Sequence, residues 1–558
     1  MTPLGARILD RLRRDPGRVV SVFLRDGAAD HPVTAERLLA RARGFAVALA
    51  DGPSVPPGSV AAICLYPGLD LHAAWLGALL AGFVPTMVAP PSPRMEPAKY
   101  AAGFRAMAGH IAARAWVVDR EAAAPLGADL SGLAGRFVVA TEVADVEAGL
   151  DTGPGAGPGP AGDLDAVTVL QHSSGTTGLQ KAIGLTSRQI FAHDEAYAGA
   201  LGLSAADTVV SWLPLYHDMG FVACFLMPLL RGMRVVELSP FDWVRRPLGL
   251  LDAIDRYQGT HCWLPNFAFA FLASARDRAG SRGAWNLSSI RAWVNSSEPV
   301  LASSFDRFLA AYADSGVTRG QLTASYAMAE NVYAVTQSLP GRLREIRVDR
   351  DALARHRVRP VAADGVVLVS NGPVLPATEV RVLGSAGEVL GPGEVGEIAL
   401  RGACRFAGYV GRPDLTAAAI DADGWYHTGD LGALVDGELY VTGRAKDLII
   451  IQGRNFYPGD IEAAAADVPG VAAGRVAAFG VPDDATGTER LVVLFELAPG
   501  VAADAGAATA LRVRAHVAQT FNCTADDVRA VPPRWLVKST SGKVARADNR
   551  AKYLADVH

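Results

Sequence analysis

The sequence predicts an α/β protein: a large N-terminal unit of mostly parallel sheets with a small β subdomain, then a small, mobile α+β C-terminal unit. Three observations carry this. Apolar, β-branched runs alternate with helically spaced segments from Ala166 to Val300, the pattern of a parallel sheet covered by helices. From Val380 the run "EVRVLGSAGEVLGPGEVGEIALRG" turns to short strands and glycine turns. The stretch beyond Asp447 mixes both patterns compactly. A chain of 558 residues also exceeds what one ordinary core serves.

Composition narrows the function. Hydrophobic residues make up 50% and charged residues 20%, the balance of a soluble globular protein. A formal net charge of -4 argues against a nucleic-acid binder held by phosphate contacts. The cysteines, at 64, 224, 262, 404 and 523, are odd in number and lack metal-type spacing, which fits a reduced, cytoplasmic setting. The first twenty residues mix Arg and Asp into the apolar positions, unlike a signal peptide.

In chain order, "AAWLGALLAGFV" (Ala73 to Val84) reads as a buried helix ended by Pro85, too short to span a bilayer, and "PTMVAPP" as an extended exit. "DTGPGAGPGPAGD" (Asp151 to Asp163) is a connector without a hydrophobic anchor. Ala166 to Leu170 reads as a buried strand, and "TSRQIFAHDEAYAGAL" as a helix with a Thr/Ser start. Buried strands follow in "RVVEL" (Arg234 to Leu238), "GTHCWLP" (Gly259 to Pro265) and "IRAWVNSSEPV" (Ile290 to Val300). Later strands lie around Leu439 to Thr442 and Asp447 to Ile451, with the domain boundary near Arg444 to Asp447.

Between the first strand and helix of that series lies "SSGTTGLQK", Ser173 to Lys181. Its small and hydroxylated residues cannot pack a core, and ordering them is unfavourable without a ligand rich in oxygens. A polyphosphate satisfies that need. A loop between a strand and a helix offers backbone N–H groups to it. The spacing is not that of a Walker loop.

This loop resembles the phosphate loop of the adenylate-forming superfamily, which includes acyl-CoA synthetases, nonribosomal adenylation domains and luciferases; Gln180 and Ala182 replace its usual Pro and Gly. Four more stretches resemble that family's motifs in the same order: "SYAMAE" (Ser325 to Glu330, with Ala327 for the usual Gly), "WYHTGD" (Trp425 to Asp430), "GRAKDLIIIQGRN" (Gly443 to Asn455) and "STSGKVAR" (Ser539 to Arg546). The resemblance implies binding of ATP by Ser173, Ser174, Gly175, Thr176, Thr177, Gly178 and Lys181, with Ser297, Glu298, Pro299, Ser325, Tyr326, Ala327 and Met328 around the adenine. Tyr326 would stack on the base, Asp430 accept both ribose hydroxyls and Arg444 bind ribose. A carboxylate suits that role, with two acceptor oxygens and no donor. Glu330 and Thr177 would hold Mg²⁺, Lys446 would be the hinge pivot and Lys543 the catalytic lysine. The implied domains are 1–443, a 444–446 hinge and 447–558.

Within the superfamily, "SWLPLYHDMGFVACFLMPLLRG" (Ser211 to Gly232) and "KDLIIIQGRNFYPGDIE" resemble the fatty acyl-AMP ligase branch, as does the early helix followed by "APPSP". There His217 would face the acyl-phosphate end of the pocket. The Arg-rich, Lys-free stretch Gly341 to Val361 takes the place of that branch's insertion, associated with disfavouring CoA; its composition equally fits a solvated surface helix. Glu298 reads as a residue shaping the backbone beside adenine. Cys224 and Cys262 read as small core groups. Trp212, Phe225, Met227, Trp263, Phe267 and Phe269 fit either core or acyl pocket.

The implied reaction joins a carboxylic, medium- or long-chain fatty acid to ATP with loss of pyrophosphate, then moves the acyl group to the phosphopantetheine thiol of a holo acyl carrier protein. Free CoA as acceptor, or a non-catalytic nucleotide-binding homologue, are the alternatives. Neither nucleic acid nor a membrane span is implied.

Overall fold

A computed structural model describes residues 2–25, 28–51, 55–91, 97–120, 136–146, 162–172, 181–279, 285–451, 454–483, 488–539 and 542–557. Its centre is an eight-stranded sheet. From one edge the order is Ala334–Gln337, Leu322–Ala327, Ala292–Asn295, His261–Leu264, Thr208–Ser211, Arg234–Glu237, Val19–Phe23 and His31–Thr34. Neighbours run parallel except the outermost pair at each edge. Three of its strands, Arg234–Glu237, His261–Leu264 and Ala292–Asn295, lie where the sequence reads buried strands of a parallel sheet, whereas the strand read at Ala166 to Leu170 lies outside it in an antiparallel pair. A second sheet, Val84–Met87, Val60–Cys64, Ala115–Val118 and Arg136–Val139, is wholly parallel. The α/β class read from the sequence is the observed one.

One large hydrophobic core joins both sheets to their helices, with Trp75, Trp243, Trp263 and Trp293 fully buried in it. The helix predicted at Ala73 to Val84 is Leu69–Leu80, and it is buried. It does not run to Pro85. Ala81 caps it, Gly82 turns at φ 84°, and Pro85 lies inside the next strand, parallel to Val60–Cys64. Glycine, free to take the left-handed turn, ends the helix before proline is reached. No helix among the described residues is long and apolar enough to cross a membrane.

The setting of the phosphate-loop candidate differs from the expected strand–loop–helix. Val167–His172 and Ala182–Thr186 are antiparallel partners, with His172 opposite Ala182. The loop therefore joins the two strands of a hairpin, and the helix Ser187–Leu201 starts only afterwards. Thr186 and Gln189 form a capping box there. Gly184 packs closely in this strand: a Cβ would stand 3.0–3.1 Å from Val410 and Val167 side chains.

Residues 378–444 form a four-stranded antiparallel sheet, Thr378–Leu383, Gly396–Gly402, Tyr426–Val435 and Glu438–Arg444. A 3-10 turn, Ala445–Asp447, leads into the last elements: a short hairpin (Ile449–Ile451 and Arg454–Phe456), a three-stranded sheet and three helices, Pro458–Ala466, Gly506–Phe521 and Arg546–Val557. These elements bury two clusters of their own, one around Ile449, Phe495 and Val513, the other around Phe479, Leu536 and Tyr553.

The stretch Gly341 to Val361 is not a solvated helix. Glu345–Val348 is a strand paired with Val366–Val369, and Arg350–Ala354 is a short helix capped by Asp349. Val348, Leu353 and Val358 are buried together with Tyr440 and Tyr457. The arginines dominate the composition, but three apolar side chains decide the packing.

Candidate active site

The run "PLYHDMG" enters the site from the strand Thr208–Ser211. Asp218 Oδ1 accepts a hydrogen bond from the Met219 N–H at 2.8 Å. The helix that follows, Met219–Leu226, is wound with π geometry, a rare form concentrated at functional sites. Gly220 is required there, since a Cβ would lie 2.3 Å from the Pro214 carbonyl oxygen. His217 lines a small cleft with Met87, Leu170, Gln171, His172, Leu215, Tyr216 and Phe221. Gln171 and His172 immediately precede the phosphate-loop candidate in the sequence. Burial pushes the His172 imidazole down to about 4, which keeps it neutral.

Asp430 lies at the end of a hydrogen-bonded chain. Its Oδ2 accepts from the Tyr326 hydroxyl at 2.8 Å and its Oδ1 from Arg444 Nε at 2.8 Å. The strand pairing explains this meeting, because Asp430 stands opposite Arg444 in the antiparallel ladder. Asp430 holds the Arg444 guanidinium above its usual range. Both carboxylate oxygens keep a further lone pair for a diol.

Lys543 comes from the other end of the chain. It belongs to a tight turn in which Ser539 N–H donates to the Lys543 carbonyl at 2.8 Å, and Gly542 would place a Cβ 3.2 Å from the Phe267 ring. Burial pushes the Lys543 ammonium down, opposed by the negative charges of Glu298 and Asp218. Asp218 is in turn pushed up by burial and pulled back by Lys543. Arg444 and Asp430 act on Lys543 too, so the charge of the C-terminal lysine is influenced by groups far from it in sequence.

Glu330 sits in a 3-10 turn after the strand Leu322–Ala327. Its carboxyl is pushed up by burial and by the Asp218 charge, and pulled down by the Tyr409 hydroxyl and Lys181. Tyr409 donates to Glu330 Oε1 at 3.1 Å, and Lys181 Nζ lies 4.4 Å over the Tyr409 ring. The Glu330 carboxylate, with its hard oxygen donors, suits a divalent cation. No group of three or more potential ligands occurs among the described residues. Mg²⁺ takes one or two carboxylates and completes its shell with phosphate and water, a donor set to which Glu330 is suited.

Other predicted positions are less direct. Glu298 Oε2 accepts from the Phe267 N–H at 2.9 Å, at the start of the helix Asn266–Ala279, so it does shape backbone. Ser297 takes a positive φ of 71°, and Pro299 is exposed. Ser325 spends its hydroxyl on the Thr336 carbonyl and is buried. Ala327 and Met328 are half-buried, and Lys446 is exposed in the turn Ala445–Asp447. Ser173, Ser174, Gly175, Thr176, Thr177 and Gly178 lie outside the described residues. Cys224 and Cys262 are buried and their thiols pushed up, Cys224 to about 12. Trp212 stacks on Trp243 at 3.7 Å, with Phe267 against both. Sequence reasoning missed Tyr409 and Tyr426. Tyr426 stands inside the quoted "WYHTGD", whereas Tyr409 belongs to no quoted motif.

The AMP-binding enzyme family matches residues 9–410. A long-chain-fatty-acid–AMP ligase, FadD26 of Mycobacterium marinum, is 32% identical over 530 residues, covering 90% of this chain and 88% of its own. A medium-chain-fatty-acid–[acyl-carrier-protein] ligase, JamA of Moorena producens, is 30% identical over 519 residues, covering 88% and 85%. A solved structure from work on fatty acyl-adenylate ligases of E. coli and L. pneumophila superposes with a TM-score of 0.87 at 26% identity, covering 99% of this chain and 98% of that one.

Proposed function

The chain belongs to the AMP-binding enzymes, in their fatty acyl-AMP ligase branch, and from that premise we propose that it activates a fatty acid with ATP and passes the acyl group to a holo acyl carrier protein. The observation that carries this reading is the charge environment of Lys543, on which Asp218, Glu298, Asp430 and Arg444 all act. A cation contributed by the C-terminal part, under the influence of these groups, supports a role for Lys543 in a reaction among anions.

In the first step a carboxylate oxygen attacks the α-phosphorus of ATP, a new P–O bond forms, and the bond to the β-phosphate oxygen breaks to release pyrophosphate. The acid is already ionised near neutral pH and needs no base. The obstacle is repulsion among anions, so catalysis is positioning and charge stabilisation. Asp430 and Arg444 hold the ribose, Tyr326 the adenine, and Ser173 to Gly178 with Lys181 the outer phosphates. Lys543 neutralises charge at the α-phosphate and the incoming carboxylate. His217 borders the acyl end. Mg²⁺ held by Glu330 and Thr177 would supply charge neutralisation at the phosphates.

In the second step a thiol sulfur attacks the acyl carbonyl, AMP leaves, and the thiol proton passes to solvent. Residues 447–558 would turn about Lys446 relative to 1–443, withdrawing Lys543. The homologue names support a fatty acid and a carrier protein. Pyrophosphate release with a panel of acids tests the first step, and mass spectrometry of the products with holo carrier protein or CoA tests the second.

The choice of acceptor rests on Gly341 to Arg357. Asn455 donates to the Ala354 carbonyl at 3.0 Å and meets His356 Nε2 at 2.8 Å, while Arg454 pairs with Asp351 at 3.3 Å. These contacts tie the segment to the C-terminal part in the arrangement that keeps Lys543 inside. A docked carrier protein offsets their loss with surface contacts, and free CoA does so far less. Deleting the segment would strip Val348 and Leu353 from a core, so the sharper test is Asp351→Ala with His356→Ala. The double variant is expected to raise CoA use relative to carrier protein by roughly 2- to 12-fold, the range of one ordinary hydrogen bond. Rates with both acceptors, measured beside pyrophosphate release, check it; an unchanged ratio removes the segment from acceptor choice.

A further inference from the structure

The segment 405–410 touches Glu330 and the exit of the phosphate-loop hairpin together. The Phe406 N–H donates to the Glu330 carbonyl at 2.8 Å, and the Val410 N–H donates to the Ala182 carbonyl at 2.8 Å. Tyr409 stands between these anchors, its backbone bridged to Ile183. It is 4% exposed, and Phe406 packs edge-on against it at 4.9 Å. Its hydroxyl reaches Glu330 Oε1 at 3.1 Å and the Tyr426 hydroxyl at 3.3 Å. Its ring carries Lys181 at 4.4 Å.

We infer that Tyr409 is a positioning residue with two separable tasks: its hydroxyl orients Glu330 toward the divalent cation, and its ring holds Lys181 toward the phosphates. The hydrogen bonds have one consistent direction. Tyr426 donates to the Tyr409 oxygen, which frees the Tyr409 proton for the Glu330 carboxylate. That bond fixes one of the two carboxylate oxygens and stops the side chain from turning. The ring works differently. A cation over an aromatic face is attracted without a directional bond, so the Tyr409 ring holds Lys181 near its place without fixing the direction of its ammonium hydrogens. Tyr409 touches no reacting atom; it sets the distance between the group that meets the metal and the group that meets the phosphate.

This inference rests on the proposed roles of Glu330 and Lys181. It is tested on the full-length protein with Tyr409→Phe, which keeps the ring, and Tyr409→Leu, which removes both features. Binding is measured by calorimetry with ATP plus Mg²⁺ and with ATP in EDTA, and by electron paramagnetic resonance of Mn²⁺ in the presence of ATP. Melting curves without ligand control for folding. Tyr409→Phe is expected to weaken Mn²⁺ binding and raise the half-saturating Mg²⁺ for pyrophosphate release about 10-fold, as loss of a hydrogen-bond partner behind a metal-binding carboxylate does. It leaves metal-free ATP binding at the wild-type value, whereas Tyr409→Leu weakens that as well. Wild-type metal dependence in a folded Tyr409→Phe protein overturns the first task. Metal-free ATP binding equal in the Phe and Leu variants overturns the second. Failure of the reading beneath it looks different: the wild-type protein itself would bind neither ATP nor metal with ATP.

Discussion

Replacing Lys543 with Ala slows pyrophosphate release by on the order of 10²–10³-fold, the loss that follows removal of one charge-stabilising donor from a preorganised site. The protein stays folded, because the Lys543 turn is held by backbone groups: Ser539 N–H on the Lys543 carbonyl and Gly542 N–H on the Ser539 carbonyl. Removal of the ammonium even relieves its own burial, which pushes that group down. Asp218 and Glu298 then face the site without their cation, so negative charge is added where negative charge develops. Lys543→Arg restores charge but not shape and recovers only part of the rate. Pyrophosphate release and a melting curve are measured together. A folded variant with near-normal release sinks the assignment of Lys543. The contrast with the second step is informative: transfer from supplied acyl-adenylate to a thiol is unaffected by Lys543→Ala, since the lysine has withdrawn by then.

Asp430→Ala weakens ATP binding by about 10- to 150-fold, the equivalent of about 1.5–3 kcal/mol for a hydrogen bond to a charged group. Two consequences combine. The ribose hydroxyls lose an acceptor, and Arg444, whose charge Asp430 holds in place at 2.8 Å, loses its partner. Tyr326→Phe separates them. It removes only the 2.8 Å bond from the Tyr326 hydroxyl to Asp430 and keeps the ring for the base, so its effect on ATP is much smaller. Calorimetric affinities for ATP and for 2′,3′-dideoxy-ATP complete the test. Wild-type protein is expected to prefer ATP, and Asp430→Ala to treat the two alike. An unchanged ATP affinity in Asp430→Ala removes the ribose role.

The parallel sheet was legible because several of its strands are short apolar runs containing Val and Trp, bounded by polar turns; Arg234–Glu237, His261–Leu264 and Ala292–Asn295 all lie where such runs occur. The helix start at Thr186 was legible as well, from Thr and Gln three residues apart. The strand before it was not. Ala182–Thr186 has five residues, too few to show a period, and its place depends on pairing with Val167–His172 and on backbone contacts with Tyr409 and Val410. In the candidate site, Asp430 and Arg444 were readable from motif chemistry, yet their mutual bond follows from strand register alone. Tyr409 was invisible for the same reason: it meets Glu330 across 79 residues of chain. The π winding at Met219–Leu226 has no periodic signal, and the close approach of Gly220 to Pro214 appears only once the turn is folded.

The most direct test of the account is mass spectrometry of the products formed from ATP, Mg²⁺ and a panel of fatty acids, with holo carrier protein, with CoA, and with no thiol. The account predicts acyl-adenylate and pyrophosphate in all three mixtures, and an acyl thioester on the carrier protein in preference to CoA. Absence of acyl-adenylate with every acid, from protein that binds ATP, contradicts it and leaves a nucleotide-binding homologue without turnover.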